Sequence, residues 1–250
     1  MPLQNPILIQ IHRAVATVPP LLNGYRRIRD WPRNDPVVTA FYRKFFDRGR
    51  LTLPEIAAEA CSACAGAIEL PALYPLFAGE DSPLADMLFL LNLAKGRKVR
   101  RILEIGTYRA RTTHALHLNC PDAEIVSYDI EVLDSPFRQA LVSASKVQLR
   151  HASFSASAAA LRKEPRFDLI FVDGSHEFQH ALDDSRLSLE LLAPEGIIVW
   201  HDYRPNDSYC KELRVPEALK IISQTVRVYA VPGTMCAVHA PRMGQAPHTK

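Results

Sequence analysis

No stretch of this chain approaches the ~20 consecutive apolar residues that a membrane-spanning helix needs. Neither sign of charge dominates: 30 Lys and Arg stand against 27 Asp and Glu, a net charge of +3 over 250 residues. The first absence leaves no spanning helix to expect, and the second removes the basic footprint of a nucleic-acid partner. Cysteine is scarce, five residues at irregular spacing, which is no disulfide framework. Cys61 and Cys64 form one CxxC, and no second pair follows to complete a zinc site. Reduced, structural thiols are the expectation. The opening MPLQNPILIQIHRAVATVPPLL lacks a charged leader and a small-residue cleavage site, and its single Arg13 is few for a targeting helix. A cytoplasmic location is therefore expected.

What is present changes character near residue 80. Residues 1–80 read as a helical N-terminal extension. Ile7, Ile11, Val15, Val18 and Leu22 recur at helical spacing, and breaks are expected at Pro19-Pro20, Pro32 and Pro36. The arginines of YRRIRDWPRNDPVVTAFYRKFFDRGR are interleaved with Asp30, Asp35 and Asp47, as on a solvated surface. LPEIAAEACSACAGAIEL is an Ala-rich helical pattern. Residues 81–240 are more regular. A helix over SPLADMLFLLNLAKGRKV, with Ser82 as N-cap and Gly96 near its end, leads into five short runs: RRILEIG, AEIVSYDI, KVQLRHA, FDLIFVDG and GIIVWHDY. Their apolar residues are contiguous rather than alternating, as in strands buried on both faces of a parallel sheet. QTVRVYAVPGTMCAVHAP adds two strands around Pro232-Gly233, a hairpin. Residues 241–250 carry no apolar periodicity and read as a flexible tail. The fold class that follows is α/β, a doubly wound, mainly parallel sheet of seven strands.

Ligands of such sheets bind at the carboxyl ends of the strands. Gly106 follows the first run, and Asp129 stands 23 positions later at the end of the second. A carboxylate there can accept both hydroxyls of a ribose. Gly106 is the only glycine of its loop, whereas a pyrophosphate loop wants G-x-G-x-x-G. A nucleoside cofactor without pyrophosphate fits better.

His176-Glu177-Phe178-Gln179-His180 matches the HExxH of zinc proteases. A zincin needs both histidines on a formed helix and a third ligand beyond it. Here Asp173-Gly174-Ser175 is a strand-end turn, which puts His176 in the first turn of the next helix. The metzincin glycine is replaced by Asp183. The protease reading fails.

ILEIGTYRARTT, VSYDI and FDLIFVDGSHEFQHALDDSRLSLELLAPEGIIVWHDY together resemble a class I S-adenosylmethionine-dependent methyltransferase. Within that class they are similar to the bacterial small-molecule O-methyltransferase branch, with its E-I-G-T, V-D-G-x-H and H-D-Y pattern. The resemblance spans residues 84 to 240 and does not reach the first 80. It implies that Glu104, Gly106 and Thr107 line the methionine part of the cofactor and that Asp129 holds the ribose. Ile130 would lie on the adenine, with Ala152, Ser153 and Phe154 closing that pocket. Three departures from the pattern stand out: Ala110 replaces a glycine, HASF lacks the acid that accepts the adenine amine, and Arg109 and Arg111 are bulky for the loop.

The same resemblance implies a divalent cation at the ends of the fourth and fifth strands, with Asp173 and Asp202 as ligands and His201 as a third. Oxygen ligands suit Mg²⁺, while His201 would admit Mn²⁺ or Fe²⁺. His176 stands where catechol-type relatives carry a lysine. An imidazole of pKa about 6.5 can take a hydroxyl proton at neutral pH, so His176 and Asp173 are the expected catalytic pair. The alternative for His176 is a helix-start residue satisfied by local backbone. His180, Asp183 and Asp184 are read as a solvated helix face, and Tyr203 as either substrate-facing or packed.

The expected activity is methyl transfer from S-adenosylmethionine to a hydroxylated small molecule, aided by Mg²⁺ or another divalent cation. The N-terminal helices would cover the site or form a homodimer contact. The alternatives are a non-catalytic scaffold on the same fold and a nicotinamide-dependent oxidoreductase. No N-P-P-Y-like motif follows the fourth strand, which argues against nucleic-acid methylation.

Overall fold

The computed structural model describes residues 53–56, 61, 67–70, 84–203 and 214–241. The helices expected before residue 53, the Ser82 cap, Cys64 and the tail lie outside the described residues.

The first long element among the described residues is α1 (Leu84–Gly96). Then β1 (Arg101–Ile105), α2 (Arg111–Asn119), β2 (Glu124–Asp129), α3 (Pro136–Ala140) and β3 (Val147–His151) follow. A 3₁₀ turn (Ser155–Ser157) and α4 (Ala158–Leu161) lead to β4 (Phe167–Val172), α5 (Phe178–Leu191) and β5 (Leu192–Trp200). The chain closes with α6 (Val215–Ile222), β6 (Tyr229–Ala230) and β7 (Ala237–His239). The seven strands lie in the order β3-β2-β1-β4-β5-β7-β6. The first five pair in parallel, and β7 runs antiparallel to both β5 and β6. This is the doubly wound sheet and terminal hairpin that the sequence predicts.

Contiguous apolar runs make sense in this sheet because both of its faces are covered. Ile102, Ile125, Leu169 and Ile197 face one side, with Met87, Leu90, Leu91 and Leu116 of α1 and α2. Their strand neighbours Leu103, Val126, Ile170 and Ile198 face the other, with Leu182, Leu187, Leu191 and Leu219 of α5 and α6. The side chains alternate between faces while hydrophobicity does not, as both faces are dry. Trp200 is anchored inside by donating its indole N–H to Ser185 Oγ, 2.9 Å away.

The Ala-rich helical pattern is only partly realised. Leu53–Ile56 is extended, with Glu55 bridging Ala230 in parallel. Ile56 donates to the Ala230 carbonyl (3.0 Å), and Ala230 donates to the Pro54 carbonyl (2.9 Å). The two-residue β6 leaves an unpaired edge, and Pro54, which has no N–H to satisfy, can lie along it. Cys61 is helical and buried. Residues 67–70 are not helical: the Glu69 N–H and C=O pair with the Asn119 side-chain amide at 2.9 and 2.6 Å.

Strand order reverses between β1 and β4. From β1 the chain steps outward to β2 and β3, then returns to the other side for β4 and β5. The crevice at this switch point is where the fold offers a binding site.

Candidate active site

A cavity of about 820 Å³ opens over the carboxyl ends of these strands, well within the range of sites for cofactor-sized ligands. Its floor begins at Gly106. This residue has φ +97°, and a Cβ there would sit 2.0 Å from the Asp173 carbonyl oxygen. The glycine is therefore demanded by the neighbouring strand end, whether or not a ligand is bound. The loop beyond it keeps turning through the left-handed region, with Tyr108 at φ 46° and Ala110 at φ 59°. Each such non-glycine residue costs about 1–2 kcal/mol. The curl turns the Tyr108 N–H onto Asp129 Oδ2 at 2.6 Å, while Asp129 Oδ1 accepts from Glu131 N at 2.9 Å.

Of the residues expected to line the cofactor pocket, Gly106, Asp129, Ile130, Ser153 and Phe154 all border the cavity. Ile130 is 70% exposed, an apolar surface free to meet an aromatic base. Glu104 and Thr107 do not line the cavity. They are buried beneath it: the pleat of β1 turns Glu104 to the face opposite Ile105, and Thr107 sits in the loop after the strand. Ser127 Oγ and Thr113 Oγ1 both donate to Glu104 Oε2, and Thr107 Oγ1 meets Ser127 Oγ at 2.6 Å. Burial pushes the Glu104 carboxyl up to about 7. These hydrogen bonds tie β1 to β2 and α2 beneath the cavity.

At the other end, Asp173, His201 and Asp202 converge, with one ligand atom from each lying within 4.8 Å of the others. Adjacent strand ends bring them together, since β4 and β5 pair through Val172 and Trp200. Asp202 itself has φ 55°, a left-handed turn that Asp tolerates better than most residues. His201 Nδ1 lies 3.1 Å from Asp173 Oδ1 and 3.2 Å from Asp202 Oδ2, aligned for a hydrogen bond with neither. Its Nε2 meets Asp86 Oδ2 at 2.9 Å. Asp86 is itself buried, and its Oδ1 accepts the Met235 N–H at 3.0 Å. Burial alone would lower the His201 pKa, but Asp173, Asp202 and Asp86 outweigh it and hold the imidazole well above its usual range.

These residues fit a divalent cation. A cation bound there would displace the Nδ1 proton, and the lone pair so freed would point between two carboxylates while Nε2–H stays donated to Asp86, an acid behind the site that orients the histidine. The donor set of one imidazole nitrogen and two carboxylates suits Mn²⁺ or Fe²⁺ as well as Mg²⁺.

His176 also reaches this cluster, with Nε2 2.8 Å from Asp202 Oδ2. That hydrogen bond raises its pKa against the effect of burial. It does not lie in the first turn of α5, as the sequence suggested. Helix α5 starts at Phe178, and Glu177 is extended with ψ 141°. Ser175 Oγ takes the Glu177 N–H at 3.3 Å, which prolongs the turn and frees His176 to face Asp202. His180 turns elsewhere, its Nδ1 3.2 Å from Ser175 Oγ, so the two histidines of the HExxH match share no ligand position.

Two residues read as solvated surface also line the cavity. His180 and Asp184 both line it, because the late start of α5 rotates this face over the crevice. Asp183 stays on the outside with Gln179 and Arg186. Tyr203 packs: it is 4% exposed, and its hydroxyl accepts the Leu53 N–H at 2.9 Å. The sequence reading missed Asp86. Its one signal was a lone acid inside the apolar helix LADMLFLLNL.

Comparison with known proteins agrees with this geometry. Residues 103–203 match a family described as "Methyltransferase domain". This similarity to a methyltransferase domain covers 101 of the 250 residues. That stretch contains every strand-end residue discussed above, from Glu104 to Asp202. Among solved structures, an S-adenosylhomocysteine-bound methyltransferase of Podospora anserina is 20% identical, with 83% of this chain and 96% of that chain covered and a TM-score of 0.51. An O-methyltransferase of Bacillus cereus, in complex with S-adenosylhomocysteine, is 21% identical over 68% of this chain and 83% of that one, with a TM-score of 0.50. The chain shares their fold. No curated protein matches the chain.

Proposed function

We propose that the methyltransferase domain transfers a methyl group from S-adenosylmethionine to a hydroxyl of a small molecule, with a divalent cation at Asp173, His201 and Asp202. The observation that carries this is one continuous cavity with Asp129 and Ile130 at one end and the Asp173–His201–Asp202 cluster at the other. A nucleoside fits the first end by its ribose and base, and an acceptor oxygen fits the second.

A cation bound there would lower the pKa of an acceptor hydroxyl. The remaining work falls to side chains. Asp202 accepts the His176 Nε2–H, leaving the Nδ1 lone pair of His176 as base. His176 is 44% exposed on its side chain while Asp202 is 9% exposed, so the base faces the cavity and its orienting partner lies behind. The acceptor oxygen attacks the methyl carbon as the carbon–sulfur bond breaks. The sulfonium becomes the neutral thioether of S-adenosylhomocysteine, and the hydroxyl proton passes to His176. Catalysis is chiefly alignment, since an in-line displacement between two held partners gains most from proximity.

Calorimetric titration of S-adenosylhomocysteine, with and without Mg²⁺ or Mn²⁺, is the test. Micromolar binding supports the reading, and no heat in any condition refutes it.

A further inference from the structure

Asp184 has no role in the reaction above, although it lines the same cavity. Among the other acids there, Asp129 is held by two backbone amides, and Asp173 and Asp202 surround His201. Glu131 is exposed. Asp184 takes no hydrogen bond or ion pair from any described residue, although it is only partly accessible. A half-buried carboxylate that faces a cavity without a donor is an incomplete arrangement.

Its position says what would complete it. Helix α5 packs against the 3₁₀ turn Ser155–Ser157 that follows β3. From α5 the Asp184 carboxylate reaches under Gly174, so that a Cβ at Gly174 would stand 3.6 Å from Asp184 Oδ2. Gly174 does not need positive φ, and any longer side chain there would lie over the carboxylate. Its absence leaves Asp184 uncovered between the end of β4 and the turn carrying Ser153 and Phe154. That turn offers hydroxyls and no acid: Ser153 Oγ faces Ser155 Oγ at 3.0 Å and the Ala156 N–H at 3.3 Å.

We propose that Asp184 accepts the exocyclic amine of the cofactor's adenine, supplying from α5 the carboxylate that the turn after β3 lacks. This rests on the S-adenosylmethionine reading. The amine is the only donor group on the base, and a carboxylate recognises it while repelling a 6-oxo group at the same place. Burial holds the Asp184 carboxyl up at about 6, as expected for an acid short of donors, and it is ionised at about pH 8.

The test is calorimetry at that pH with S-adenosylhomocysteine and S-inosylhomocysteine, which carries oxygen in place of the amine. The wild-type protein should bind the adenosyl ligand about tenfold more tightly or better, the scale of a hydrogen bond to a charged group. Asp184→Asn should weaken the adenosyl ligand by a similar factor and strengthen the inosyl one, because its amide can donate to the 6-oxo group. Asp184→Ala should lose the discrimination without reversing it, and thermal melts should find both variants folded. Equal binding of the two ligands by the wild type, or variants unchanged from it, overturns the proposal while leaving the cofactor reading intact. A wild-type protein that binds neither ligand refutes the cofactor reading and this inference with it.

Discussion

Replacing Asp86 with Asn should damage metal binding from a position that touches no metal. Asp86 accepts two hydrogen bonds, one from Met235 N at 3.0 Å and one from His201 Nε2 at 2.9 Å. An Asn of the same shape can keep its oxygen toward only one of them. If the oxygen stays on Met235, the amide N–H faces Nε2, which must then accept, and the proton that the imidazole keeps lies on Nδ1. That tautomer turns an N–H toward Asp173 and Asp202 and removes the lone pair a cation needs. If the amide flips, two N–H groups oppose each other at Met235. Asp86 and His201 are 3% and 5% exposed, so water has no room to repair either outcome. Loss of an acid that orients a metal-binding histidine weakens metal affinity by about 10–100-fold, equivalent to about 1.4–2.8 kcal/mol. Paramagnetic resonance titration of Mn²⁺ into purified wild-type and D86N protein measures it directly. Mn²⁺ affinity in D86N equal to wild type, with nitrogen hyperfine coupling from His201 retained, would refute the tautomer argument.

Glu104→Gln tests the buried carboxyl. Its folded pKa of about 7 lies above the ordinary 4.5, so between those values the native state keeps a proton that the unfolded chain has lost. Stability contributed by this residue therefore falls as pH rises through that window, by about 3 kcal/mol at most, and the wild-type-minus-E104Q difference from urea unfolding should shrink or reverse from pH 4.5 to 8. A difference independent of pH would count against it. Gly106→Ala puts a methyl 2.0 Å from the Asp173 carbonyl, and insoluble protein or a melting point lowered by several degrees is expected; a wild-type melt would contradict the strand-end geometry. Asp173→Ala should reduce turnover by about 10³-fold or more while S-adenosylhomocysteine affinity in calorimetry stays nearly unchanged. Equal loss of both would remove Asp173 from the acceptor end.

The sheet was legible because its strands are buried on both faces, and unbroken Ile, Val and Leu runs have few other uses. For the same reason their last residues, Asp129, Asp173 and the His201-Asp202 pair, could be named in advance as cavity residues. What stayed hidden depends on angles that local pattern does not encode. Glu104 is one residue from the cavity loop, yet strand alternation turns it into the core. His176 lies one extended residue before a helix, and that residue aims it at Asp202. Asp86 and His201 are 115 positions apart, and their contact exists only after α1 and β5 have packed. Leu53–Ile56 has helical composition but lies beside an edge strand that still needed partners, and tertiary pairing overrides propensity there.

The peptide of Met235 uses both of its polar groups at this end of the molecule: its N–H bonds to Asp86, and its carbonyl accepts from Tyr203 N at 2.9 Å. Met235 belongs to the turn between the last two strands, so the acid that sets His201 is braced by the last part of the sheet in chain order. On a ribosome the end carrying Asp129 and Ile130, built from β1 to α5, can close while the terminal hairpin is still in the exit tunnel. The Asp173–His201–Asp202 end cannot. A nascent chain would be able to grip the methyl donor before it could use it, and arrest before β6 should yield a domain that binds cofactor but no Mn²⁺.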